Sequence, residues 1–285
     1  MRASFLAVAF FAVVLLSIGF GRSMWGGVPY AGPAGTEPER AADPGAHPVI
    51  VELFTSEGCS DCPPADRLLA HLQRTQPVPG ADVIALEEHV DYWNSQAWID
   101  PFSSAQFTSR QSDYVHSFRL SSGPYTPQMV VDGRAQFVGS NERAAMEAIA
   151  KAAENPEIPV TIEQAGDSDP DAGNVRVHVQ VGPAGGAHTG GRADVVLAIT
   201  EDGLSSNVAG GENAGAHLEH AGTVRELRSI GRLDAAGSFS TDQKVSLGHH
   251  WKRDNLRIVV FVQDHSSLAV LGASTIHLSL PAKQS

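Results

Sequence analysis

The chain has 285 residues, 42% hydrophobic and 18% charged, with a formal net charge of −12. That apolar share supports a sizeable core, and the length fits one large domain or two of ordinary size. The acidic balance repels phosphate backbones, so nucleic acid is not an expected partner.

The N-terminus reads as a targeting segment. Arg2 precedes a nearly unbroken apolar run from Ala3 to Phe20, and no acid occurs before Glu37. Residues 1–22 therefore read as a secretory signal peptide or a retained membrane anchor. In both cases the bulk of the chain is exported, to the periplasm or beyond, where disulfides persist. Residues 23–47 carry many Gly, Pro and Ala without apolar period and read as a linker.

The run Val49–Phe54 (VIVELF) is of β type and suits a strand buried on both faces. The segment TSEGCSDCPPAD follows and holds both cysteines, Cys59 and Cys62. A helix is predicted next: Ala65, Leu68, Leu69 and Leu72 share one face, and Pro63 and Pro64 fit its first turn. Ala81–Val90 reads as a second strand. Asp91–Phe102 has no period but carries Tyr92, Trp93, Trp98 and Phe102, which predicts an ordered loop. Ser103 with Gln106 resembles a capping box, opening a helix with Phe107, Tyr114, Val115 and Phe118 on its apolar stripe. After Tyr125-Thr126-Pro127, the stretch QMVVDGRAQFVG reads as a hairpin turning at Asp132-Gly133. Asn141 caps a last helix lined by Ala145, Met146, Ile149 and Ala153.

Beyond Pro156 and Pro159 the texture changes. Val- and Ile-rich segments recur near 175–181, 195–200, 223–230, 244–247, 256–262 and 269–280, separated by Gly-rich turns. The expected architecture is therefore an α/β, thioredoxin-like domain over residues 48–155, ordered β-α-β-(α)-β-β-α, followed by an all-β, sandwich-like domain over 156–285.

Two cysteines three apart before a helix in an α/β pattern are the redox spacing. Zinc normally takes four ligands, often two such pairs, and there is no second pair, so no metal is expected at these thiols. The thiolate is the attacking species, and a helix N-terminus favours it. Cys59 is the expected nucleophile, and Cys62, one turn in, the resolving thiol. Glu57 and Asp61 oppose a charge on Cys59, which predicts a thiol pKa of about 7 rather than the strongly depressed value of about 3.5.

VELFTSEGCSDCPPAD, HVDYWN, PYTPQMVVDGR and GENAG with VRELRSIG resemble the bacterial exported domain-of-unknown-function family 1223, a thioredoxin-like group, over nearly all of the chain from Val49 onward. The resemblance implies a thioredoxin-like domain with a redox CxxC. It also implies a cis Thr126-Pro127 bond facing the cysteines. Thioredoxins carry a buried, proton-shuttling acid on the first central strand. Glu52 lies on the corresponding strand, one residue farther from the pair, with a surface-reaching carboxylate as the other reading.

Asp91, Tyr92, Trp93 and Tyr125 are candidates for a substrate wall beside the cysteines, against plain loop packing. Loop packing is the preferred reading for His89. His217 and His220 (HLEH), with Glu212, have permissive metal spacing, but twelve histidines make such pairs common and GENAG reads more simply as a tight loop. GHHW, Gly248 to Trp251, is a weaker candidate still. The expected function is an exported thiol–disulfide oxidoreductase acting on protein thiols, with an unidentified redox partner and no cofactor beyond the cysteine pair. That reading expects reachable sulfurs with Thr126-Pro127 across from them. The alternatives are a Cu(I)-binding, chaperone-like protein that uses the pair, and a non-catalytic interaction module with a permanent disulfide.

Overall fold

The computed structural model of the chain describes residues 45–165, 173–183 and 192–278. The N-terminal signal or anchor segment, and the expected linker up to residue 44, lie outside them. Among the described residues no helix is long and apolar enough to cross a membrane.

Strand β1 (His47–Thr55) pairs in parallel with β2 (Ala81–His89), from His47 opposite Ala81 to Thr55 opposite His89. Helix α1 (Pro63–Thr75) makes the crossover. Its two prolines occupy the first turn, where a missing N–H leaves no bond unmade. Ala65, Leu69 and Leu72 bury against Val49, Val51 and Leu53 of β1 and Val83 and Ala85 of β2. Helix α2 (Ala105–Ser117) covers the opposite face, where Phe107 and Tyr114 join Ile50, Leu86 and Phe54 in two clusters. Its cap is Ser104, whose hydroxyl accepts from Gln106 N at 3.2 Å, one residue later than expected. Ser103 instead donates to Asp100 O. Strand β3 (Gln128–Val131) runs antiparallel to β1 and to β4 (Ala135–Val138). Helix α3 (Glu142–Ala152), capped by Asn141 Oδ1 on Ala144 N, packs Ala145 and Ile149 on the α1 side.

The remaining described elements are strands apart from one short 3-10 turn at Arg253–Asn255: β5 (Val160–Gln164), β6 (Asn174–Val181), β7 (Ala193–Glu201), β8 (Leu204–Asn207), β9 (His217–His220), β10 (Thr223–Arg232), β11 (Phe239–Ser246), β12 (Leu256–Asp264) and β13 (Val270–His277). HLEH, weighed from sequence as a metal spacing, is strand β9, with Leu218 and His220 inward and His217 and Glu219 outward.

One eight-stranded sheet runs β13-β12-β7-β10-β2-β1-β3-β4. It takes strands from both sides of the boundary expected at Asn155–Pro156. β10 meets β2 where Thr223 stands opposite Glu87, and Glu87 N donates to Gly222 O at 2.9 Å. A strand as buried as β2 needs its second edge hydrogen-bonded, and β10 supplies that partner. The sheet β11-β6-β5 lies over β7 and β12, and the valines of β6 close a core with Leu197, Ile199, Ile258 and Val260.

Asp132 ties the β3–β4 turn to this frame. It sits at φ +47, followed by Gly133 at φ +60, conformations that Asp and Gly tolerate best. Its carboxylate accepts from Ile50 N at 2.9 Å, and its carbonyl accepts from Val270 N at 2.9 Å. Burial raises its pKa from 3.8 to about 7, against the pull of the Ile50 N–H. Folding therefore takes up a proton between those values. The contribution of this group to stability is whole at low pH, falls as pH rises, and is lowest above about 7. Asp132→Asn keeps the acceptor and the turn but cannot ionise. We expect it to gain on the wild type between pH 5 and pH 8, by at most about 4 kcal/mol. Urea midpoints at the two pH values check this, and an identical difference at both would refute it.

Candidate functional site

β1 ends at Thr55, and the chain turns twice before α1: Cys59 N donates to Ser56 O at 3.1 Å and Cys62 N to Cys59 O at 3.2 Å. Cys62 is the N-cap of α1. The two cysteines are disulfide-bonded, with Cα atoms 5.5 Å apart, well within the range such a bond needs. Both are buried, at 1% and 0% exposure. The expectation of reachable sulfurs is thus not met, and the loop over residues 208–216 at the tip of the β8–β9 hairpin is tied to the cysteine loop. Asn213 Nδ2 donates to Glu57 O and to Cys59 O, both at 2.9 Å. Glu212 accepts from the Ser60 amide and hydroxyl at 3.0 and 2.7 Å. Gly210 lies so close to Ala97 that a Cβ there would stand 2.0 Å from the Ala97 carbonyl oxygen. GENAG is thus a strap tied across the cysteine loop.

Trp93, Thr126 and Pro127 do gather beside that loop. The Trp93 Cβ would be 3.2 Å from a Cβ on Gly58, and its indole N–H donates to Thr126 Oγ1 at 2.7 Å. The Thr126-Pro127 bond is cis. A Cβ on Gly139 would lie 3.1 Å from both Pro127 and Ala65, so the proline ring stands next to the first turn of α1. Tyr125 donates to Gln136 at 2.7 Å, and the half-exposed Tyr92 to Gln111 at 3.1 Å. Asp91 accepts from Thr108 Oγ1 at 2.6 Å, tying its loop to α2.

Glu52 is elsewhere. It is fully buried, so its carboxylate does not reach the surface. It lies on the α2 face with Ile50 and Phe54, whereas Val49, Val51 and Leu53 face α1. Arg110 Nε and Tyr114 OH both bond it at 2.5 Å.

The α1 face of the sheet carries a different set of ionisable groups: the sequence reading singled out Glu57, His89 and His220 separately, but not Asp66, Glu87 or Asp100, nor that the six come together. His89 Nδ1 meets Asp100 Oδ2 at 2.8 Å. His89 Nε2 stands 3.6 Å from Glu87 Oε2. His220 Nδ1 meets Glu87 Oε1 and His220 Nε2 meets Glu57 Oε1, each at 3.1 Å. Thr223 donates to Glu87 at 2.9 Å, and Trp98 Nε1 to Glu57 Oε2 at 3.0 Å. On α1, Asp66 accepts from Thr55 Oγ1 at 2.6 Å, and its amide donates to Cys62 O at 3.1 Å. Glu57, Asp66, Glu87, His89, Asp100 and His220 are all buried. The Glu57 charge that was expected to oppose a thiolate is thus shared with His220 and Trp98.

Burial, reinforced by the Glu87 charge, lifts the Asp66 pKa to about 7. Burial also works against ionised Glu87, but His220 outweighs it and holds Glu87 at about 2. Burial opposes charge on His89 and His220 too. Asp100 nonetheless raises His89 to about 9, and Glu87 with Glu57 holds His220 well above the ordinary range. Two sequence signals were available: Glu87 and His89 continue the buried period of Val83 and Ala85, and HLEH alternates like a strand.

The chain is thus a mixed α/β protein, mostly strands, with a disulfide-bonded CxxC where its first strand gives way to its first helix. Residues 50–263 match the family described as "Protein of unknown function (DUF1223)", and the chain belongs to that family. No curated protein matches it. Among solved structures it is similar to the X-ray crystal structure of protein AGR_C_4864 from Agrobacterium tumefaciens. The identity is 26%, the match covers 85% of this chain and 99% of that one, and the TM-score is 0.63.

Proposed function

We propose that the protein is an exported thiol–disulfide oxidoreductase acting on protein thiols. The observation that carries this reading is the Cys59–Cys62 disulfide at the N-terminus of a 13-residue helix, beside the Trp93–Thr126–Pro127 contact. Reduced Cys59 would attack a substrate disulfide as a thiolate and expel one substrate sulfur, which takes up a proton. Cys62 would then give up its own proton and displace the second substrate thiol, closing the Cys59–Cys62 bond. The reverse sequence oxidises a dithiol.

Further features support the reading. The order β2-β1-β3-β4, with α1 and α3 on one face and α2 on the other, supports reading the first part as thioredoxin-like, and β11-β6-β5 over β7 and β12 supports reading the second as sandwich-like. Among the described residues the large exposed hydrophobics are Tyr92, Ile99 and Val138. The first two lie on the loop that carries Trp93, and Val138 precedes Gly139, whose amide donates to Pro127 O at 2.9 Å. The apolar run at residues 3–20 supports export.

The burial of both sulfurs favours a second reading, in which the disulfide is permanent. One titration separates the two. Equilibrated against a glutathione series, an exchanging pair has a potential between about −120 and −270 mV, and a structural one falls below about −300 mV. The oxidoreductase reading expects the first range, and expects Cys62→Ser to accumulate mixed disulfides through Cys59. A potential in the second range would remove it.

A further inference from the structure

We propose that Glu87, His89 and His220 form a binding site for a borderline divalent metal ion, with zinc as the reference case. This inference does not depend on whether the cysteines exchange electrons. One potential ligand atom from each of the three residues lies within 4.8 Å of the others, and all three residues are buried.

The orientation of the two imidazoles is the main argument. A metal-bound histidine almost always has its other ring nitrogen hydrogen-bonded to a carboxylate or carbonyl, which fixes tautomer and ring plane. Both rings here have that arrangement. Asp100 holds His89 through Nδ1, and Glu57 holds His220 through Nε2. The remaining nitrogens, His89 Nε2 and His220 Nδ1, both face the one carboxylate of Glu87, at 3.6 and 3.1 Å. In a tetrahedral shell with metal–nitrogen bonds of about 2.0 Å, neighbouring donors are about 3.3 Å apart. The two contacts are to different Glu87 oxygens, Oε2 for His89 and Oε1 for His220, and one donor atom per residue lies within 4.8 Å of the others, so a bound ion would draw the three side chains slightly closer. Glu87 has its own outer support in the Thr223 hydroxyl.

The second observation concerns one of these nitrogens, whose contact to Glu87 at 3.6 Å is too long for a hydrogen bond. His89 Nε2 is fully buried and has no hydrogen-bond partner among the described residues. Buried polar atoms are rarely left so. A cation between the three side chains would engage it. The charge balance agrees: the carboxyls of Glu57, Glu87 and Asp100 outnumber the two imidazoles they contact. The donor set of two imidazoles and one carboxylate suits zinc and its neighbours rather than calcium or magnesium. The cysteine sulfurs are occupied by each other, which separates this site from a thiolate site.

The test uses the full chain with its disulfide intact, so that thiols cannot bind metal. The protein is incubated with Zn2+, and a second sample is refolded from urea in its presence, because all three ligands are buried. Dialysis and elemental analysis then give the stoichiometry. The proposal expects one tightly held equivalent. It expects at least a tenfold loss of affinity in His89→Gln and in His220→Gln, and full retention in a Cys59→Ser/Cys62→Ser double variant. If the histidine variants do not fold, Co2+ in the wild type decides: nitrogen and oxygen donors give visible d–d bands without thiolate charge transfer. Substoichiometric metal after refolding would overturn the proposal. So would binding unchanged in both histidine variants, which marks adventitious surface sites, or binding lost only with the cysteines.

Discussion

Arg110→Met is expected to destabilise the protein by about 3–5 kcal/mol, the range for removing one partner of a buried charge pair. The Arg110 guanidinium serves two carboxyls that are both fully buried, Glu52 at 2.5 Å and Glu88 at 3.4 Å. It also donates to Gln263 and to Tyr114 OH, and lies over the rings of Tyr114 and Phe261. Neither oxygen of Glu88 has a hydrogen bond among the described residues, and burial, reinforced by the Glu52 charge, raises its pKa well above the ordinary value. Without the arginine both acids would share a dry pocket, and one would have to bind a proton or drag water in. Methionine fills much of the space, so the loss reads mainly on charge. Guanidinium unfolding measures it. Glu52→Gln added to Arg110→Met should recover part of the loss. A single variant within about 1 kcal/mol of wild type would show the pair to be dispensable.

Asn213→Ala is expected to speed reduction of the disulfide by dithiothreitol about 30-fold. Its side-chain amide makes the two bonds that tie the hairpin tip to Glu57 O and Cys59 O. At about 1 kcal/mol each, their loss makes opening of the strap easier by about 2 kcal/mol, and each 1.4 kcal/mol is tenfold. The rate follows that equilibrium if reagents reach the sulfurs only through the open form. Alkylation of the freed thiols, followed by mass spectrometry, gives the rate, and circular dichroism shows whether the fold is intact. An unchanged rate in a folded variant would mean that reagents enter by another route.

Much of the frame could be read before any coordinates. The prolines after Cys62, the Asp132-Gly133 turn and the Asn141 cap each impose a local backbone requirement, so the sequence locates them. The cap of α2 slipped by one because Ser103 and Ser104 are chemically equivalent, and only the Asp100 carbonyl tells them apart. Glu52 was legible as a strand residue but not as to its face. An alternating pattern fixes a face only where one side is polar, and β1 is buried on both. The acid–histidine cluster was the hardest to see. Glu87 and His220 are 133 residues apart and meet through the junction of β10 with β2, which covers a single residue pair in register. No local signal announces so short a junction, and the adjacent acids Glu87 and Glu88 point to opposite faces of β2, so each reads as solvent-facing until both sides are known to be covered.

That junction bears on how such a chain could have arisen. A fragment ending at Asn155 would keep the cysteine loop but lose β10, His220, Thr223 and the strap, opening the edge of β2 at Glu87 and removing its His220 and Thr223 partners. The cysteine half is therefore a poor cassette for shuffling into other genes, and the lineage is expected to have inherited both halves as one indivisible unit.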